Sequence, residues 1–246
     1  DEILFTKAVT NRYNHRCRCM EHFVLRKTEM SANRCYKKGI VGKMKSKLSY
    51  FAPLLWLLCI PVLNVFYGIL NREGDRVRSL MTVLDAKTPF IPQFIIPYLI
   101  WYPFIFAMFV LLFVKNRKVY YRTLFLLCTG LVVCYITYYL FQTVVYRPVI
   151  TSDVPLHWFV QFVYSNDRPY NCFPSIHVMT TYLMMKSTFR HIHLKRLTHL
   201  AIGLTGWSII VSTVFVKQHV VLDIVGAIVL VEITYYLMNA LVPIPK

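Results

Sequence analysis

Six apolar stretches, at about 49–70, 92–114, 123–145, 174–189, 198–216 and 219–241, alternate with polar ones along the chain. Each is close to the ~20 residues that a helix needs to cross the hydrocarbon core of a bilayer. Trp56 and Tyr67 suit anchors at a membrane surface, and the second stretch carries Trp101. The fourth stretch is the shortest and the most polar. Almost nothing separates the fifth from the sixth, so Lys217-Gln218 must turn tightly at one membrane face. Between the third and fourth, Pro155 through Tyr164 is apolar and aromatic but too short to span. It predicts a helix lying at headgroup depth, with His157 as an interface residue. The pattern predicts an all-α polytopic membrane protein of six transmembrane helices and one short interfacial helix. No period of 20–50 residues repeats.

Composition agrees, at 57% hydrophobic and 16% charged residues. The net charge of +17 raises nucleic acid as a partner. The basic residues fall between apolar spans instead of along one aromatic-laced surface, which argues for a membrane protein and against nucleic-acid binding. Lys115, Arg117, Lys118 and Arg122 in the 115–122 loop, and Lys186, Arg190, Lys195 and Arg196 around the 186–199 loop, fall on one side with the N-terminus. That side is expected to be cytoplasmic. The 146–173 loop and the 216–218 turn are then external. The 71–91 loop, with Arg72, Arg76, Arg78 and Lys87, dissents mildly.

Residues 1–47 differ from the 48–241 membrane domain and the 242–246 tail. They hold twelve Lys/Arg, four Asp/Glu and the set His15, Cys17, Cys19, His22 and Cys35. This spacing fits no common zinc pattern. Met44-Lys45-Ser46-Lys47 before an apolar run looks like the start of a bacterial membrane protein, so 1–43 is expected to be upstream sequence whose deletion leaves insertion and activity intact. The seven cysteines are odd in number and scattered, and describe no disulfide framework.

Ser212 through Asp223 breaks the apolar pattern with Lys217, Gln218, His219 and Asp223. Ionisable groups at membrane depth are expensive and mark function by default. A helix end meeting the headgroups is the alternative. On a helix, His219 and Asp223 would stack four apart, with the carboxylate fixing the imidazole tautomer. Arg147-Pro148, the run Asp167 through His177, and Lys217 through Asp223 all fall on one predicted face. Together they supply the inventory of phosphate-ester chemistry. Arginine grips phosphate, a helix opening at Pro174-Ser175 favours an anion, and two histidines can attack and protonate. No carboxylate cluster stands ready for magnesium.

These residues resemble the type 2 phosphatidic acid phosphatases, which are integral-membrane, metal-independent lipid phosphatases related to vanadium haloperoxidases. The family motifs are K-x6-R-P, P-S-x-H and S-R-x5-H-x3-D. Pro174-Ser175-Ile176-His177 matches the second intact. Ser212, His219 and Asp223 match the third in spacing, and Arg147-Pro148 is what remains of the first. The resemblance implies His219 as the nucleophile that forms a phosphohistidine, oriented by Asp223. It implies His177 as the general acid, with Arg147, Ser175 and Ser212 on the phosphate and no cofactor. The motif-one lysine falls at Leu140 and the motif-three arginine at Thr213. Lys217 and Arg168 are the candidates to restore the missing charge, as in inositol-phosphorylceramide-synthase-like branches. The expected substrates are a phosphomonoester or pyrophosphate lipid, at the outer face of a bacterial plasma membrane. Transfer to another alcohol and non-catalytic transport or binding are the rival readings. Glu232, nine residues beyond Asp223, lies about 180° around the helix and is expected to be structural.

Overall fold

The computed structural model describes residues 49–74, 76–150 and 155–243. The N-terminal His/Cys set, the Met44 start and the end of the C-terminal tail lie outside the described residues. The chain divides into two compact units at Trp56/Leu57. The described part of the first, 49–56, is helical, with Tyr50 and Phe51 edge-to-face. The elements named next belong to the second unit.

In order, its elements are α1 Cys59–Leu70, β1 Arg78–Ser79, α2 Val83–Lys87, α3 Ile95–Lys115, α4 Arg117–Leu140, β2 Thr143–Val144, α5 Pro155–Asn166, α6 Ile176–His191, α7 Arg196–Phe215 and α8 Val221–Leu241. Five helices among the described residues, Ser49–Leu70, Pro92–Lys115, Arg117–Leu140, Arg196–Phe215 and Val221–Leu241, are long and apolar enough to cross a bilayer. The protein is therefore an all-α integral membrane protein.

The third span is displaced from its expected bounds. A single residue, Asn116, separates α3 from α4, so the expected 115–122 loop is a helix junction. Asn116 accepts hydrogen bonds from the amides of Lys118 and Val119, a cap that starts α4 at once. Arg122 is then buried in α4 and donates to the Val242 carbonyl and Asn239 Oδ1 at the end of α8. At the other end, residues 141–145 leave the helix and β2 pairs parallel with β1, Arg78 opposite Thr143.

α6 is the central helix, packed on α3, α4, α7 and α8. Two of its threonines are bonded within the bundle. Thr180 receives the Trp101 indole N–H (2.9 Å), and Thr180 and Thr181 return bonds to the preceding turn. Tyr182 and Lys186 reach across to Glu232 of α8 at 2.7 and 2.5 Å, so Glu232 joins helices as expected. A helix enclosed this way does not need an apolar surface all round, which is why α6 reads as polar for its setting.

Candidate functional site

The bundle end that carries the loops 71–94, 141–175 and 216–220 holds a cavity of about 270 Å³. His177 and His219 both line it, with Asp167, Asn171 and a group of aromatic side chains. Their ring centroids are 5.9 Å apart.

His219 does not lie on α8. It belongs to the turn before it, and α8 begins at Val221. The turn is built by backbone. The amides of Gln218 and His219 both donate to the Thr213 carbonyl, at 2.9 and 3.0 Å. Lys217 takes the left-handed conformation, φ 53°, which costs about 1 kcal/mol and is offset by those bonds. Asp223 sits in the first turn of α8. Its Oδ2 accepts from the Val220 amide (3.0 Å) and bonds His219 Nδ1 (3.2 Å). The expected His–Asp pair therefore forms, but between a turn and a helix N-terminus. Asp223 is fully buried, and its Oδ1 has no partner among the described residues.

His177 lies in the first turn of α6. Ser175 is the N-cap, its hydroxyl accepting from the Val178 amide, and its own amide donates to the Asp223 carbonyl. That bond couples the two helix starts. Phe173, two residues before Ser175, lies against α8 where Gly226 leaves room, and a Cβ there would overlap the Phe173 ring. The His177 ring is held between Tyr98 (4.7 Å) and Trp101 (4.3 Å), and its Nε2 is buried without a partner.

Cys172 is the third polar neighbour. Its thiol, a His219 ring nitrogen and an Asp223 carboxylate oxygen all lie within 4.8 Å of one another. Burial first, and then the Asp223 charge, push the thiol well above its ordinary pKa. A cation bound there would have to displace the thiol proton to gain Cys172 as a ligand, because a metal binds thiolate.

The expected cationic ligands are placed elsewhere. The Lys217 ammonium points away from the cavity, onto the carbonyls of Asp85 (3.0 Å) and Thr88 (2.6 Å). Burial lowers its pKa, with the Asp85 charge opposing. Arg147 donates to the carbonyls of Asp167 (2.6 Å) and Tyr164 (3.3 Å) and to Gln218 Oε1 (2.5 Å), and it lies over the Tyr164 ring. It therefore braces the loop that carries Asp167 against the residue before His219. Arg168 is exposed outside the cavity. Ser212 is buried inside α7 and donates to the Ile209 carbonyl. The physical reason is common to all four. Each was assigned to the face by chain position, but its side chain is taken up by the nearest backbone acceptors or by solvent.

Other residues that shape this end carry no signal along the sequence. Asp85 is buried, caps α2 through Thr82 (2.9 and 2.6 Å), and accepts the Val221 amide at the start of α8 (2.8 Å). Gln142 joins Gly74, Arg72 and Asn171. Thr143 Oγ1 accepts the amides of Cys172 and Phe173. Tyr67 and Asn71 donate to Asp167 Oδ1 at 2.6 and 2.8 Å.

Comparison with known proteins returns no match to a family model, to a curated protein or to a solved structure.

Proposed function

We propose that the protein is a membrane enzyme that transfers the phosphoryl group of a lipid phosphate, in the manner of the type 2 phosphatidic acid phosphatases, with water as the acceptor. The observation that carries this reading is the meeting of a carboxylate-oriented histidine, His219 on Asp223, with a second histidine across one cavity. With the Nδ1 proton directed to Asp223, the His219 Nε2 lone pair is free to attack phosphorus. The P–N bond forms as the bond to the lipid oxygen breaks, and that oxygen takes a proton from His177. Water, deprotonated by the now neutral His177, then displaces His219 and releases phosphate.

The amides at the N-terminus of α6 are the donors for the phosphate. Asn171 adds an unpartnered Nδ2. In this reading α6 is a sixth span. α5 lies at headgroup depth, with Val160 and Val163 packed inward and Trp158 and Phe162 exposed. The basic residues at the opposite end of the bundle support a site on the outer side of a bacterial plasma membrane.

Rapid quench of purified protein with phosphorus-labelled lipid tests the reading. Acid-labile, base-stable label on the wild type, lost in His219→Ala, is the expected result. Label on Ser175, or turnover unaffected by His219→Ala, would refute it.

A further inference from the structure

The cavity is suited to recognise a cation as well as a phosphate. Among the residues that line it, Asp167 is the one fixed charge, and there is no lysine or arginine. A dianionic phosphomonoester buried there would lack a counter-charge, and an unpaired buried charge is costly. Around the same space stand the rings of Tyr67, Tyr98, Trp101, Tyr102 and Tyr138. Tyrosine and tryptophan faces attract a cation within about 6 Å, and a desolvated ring cage is the recurrent host for quaternary ammonium. The Asp167 carboxylate is held by Tyr67 and Asn71 through Oδ1 alone. Among the described residues it makes no ion pair, and nothing bonds its Oδ2.

We propose that the substrate is a zwitterionic phosphodiester lipid whose headgroup ends in an ammonium, of the phosphocholine type. The ammonium would sit among the rings beside Asp167 and the phosphate between His219 and His177. Such a headgroup carries its own counter-charge, which explains how a cavity without lysine or arginine could accept a phosphate.

This rests on the histidine pair of the reading above and changes the group transferred from phosphoryl to phosphocholine. His219 forms a P–N bond to the phosphodiester phosphorus while the P–O bond to diacylglycerol breaks. The diacylglycerol oxygen takes the His177 proton. The phosphocholine group stays on His219 until water or a lipid alcohol breaks the P–N bond, returning a proton to His177. Atoms and charge balance without any further reactant.

The test uses the full chain purified in detergent micelles, with phosphatidylcholine, phosphatidylglycerol and phosphatidate of identical acyl chains. Diacylglycerol release should be fastest from phosphatidylcholine. Asp167→Asn should raise KM for phosphatidylcholine about tenfold relative to KM for phosphatidylglycerol, the scale of one desolvated cation site. A merely structural role for Asp167 would depress all three alike, and that result overturns the proposal. Free phosphocholine should inhibit the wild type where glycerol phosphate does not, which keeps the question open to decision if Asp167→Asn fails to fold. Phosphatidate consumed fastest, in a His219-dependent reaction, would sink this inference and leave the phosphoryl-transfer reading standing. No His219-dependent turnover of any of the three would end both.

Discussion

Lys217 and Asp85 are joined across 132 residues of chain, the lysine ammonium resting on the aspartate's main-chain carbonyl at 3.0 Å. The Asp85 carboxylate in turn receives the amide that opens α8. The 71–94 loop is thus the platform on which the His219 turn stands. A lysine two residues from the candidate nucleophile is bonded to that platform.

Lys217→Ala is therefore expected to lower thermal stability while turnover per folded molecule stays near wild type. Loss of a charge-stabilising donor would instead cut turnover by roughly 10²-fold or more. Steady-state kinetics beside a melting curve separates the two. The pH dependence has a definite sign. Burial lowers the Lys217 pKa in the folded state, so between that value and the ordinary lysine value the unfolded chain binds more protons. Stability should rise with pH across that window, and Lys217→Met should remove that part of the slope.

Asp85→Ala should cost about 2 kcal/mol or more, since it removes a helix cap and leaves the Val221 amide unpaired. Activity should fall with it, because the start of α8 carries Asp223. Denaturant melts of the purified variant check this, and an unchanged midpoint would contradict the platform.

Asp223→Asn should slow turnover by roughly 10³-fold with substrate binding largely kept, as expected when an imidazole loses its orienting carboxylate. His177→Ala should still trap label on His219 when the leaving group is good, because a good leaving oxygen needs little protonation. Activity should survive chelation, since phosphoryl transfer through the histidine pair needs no metal, and vanadate should inhibit as a mimic of five-coordinate phosphorus. A chelator-sensitive wild type would argue for metal at Cys172, His219 and Asp223.

Gly226→Ala places a Cβ against the Phe173 ring. Relief requires Phe173 to retreat, and with it the Ser175 amide that bonds the Asp223 carbonyl. The variant should lose about 1–3 kcal/mol of stability, the usual cost of overpacking. It should also lose turnover out of proportion to that loss. Normal melting and normal kinetics together would show the contact to be slack.

The sidedness is read by cysteine labelling in a cysteine-free background. Asn166→Cys, at the site end, should react with an impermeant reagent in intact cells. Lys195→Cys, in the junction between α6 and α7, should not. The reverse pattern would invert the protein.

Hydropathy by itself determined that the chain is a helical membrane protein and where four of its five long apolar helices lie, because the bilayer rewards about twenty apolar residues wherever they occur. It also determined the tight turn at Lys217-Gln218 and the pairing of His219 with Asp223, since residues four apart remain neighbours even with one of them just outside the helix. Local spacing misjudged the 115–122 segment, where the Asn116 cap starts α4 without a loop. Only the tertiary structure decided what the charged side chains touch. Lys217, Arg147, Arg168 and Ser212 fall near the site in the chain, yet each is spent on a neighbouring carbonyl or left in solvent. Asp85, Asp167 and Gln142, distant in the chain, are the residues that build the platform and the cavity wall. A residue's position along the chain settles which end of the bundle it reaches, whereas the direction of its side chain depends on which acceptors other segments leave unsatisfied there.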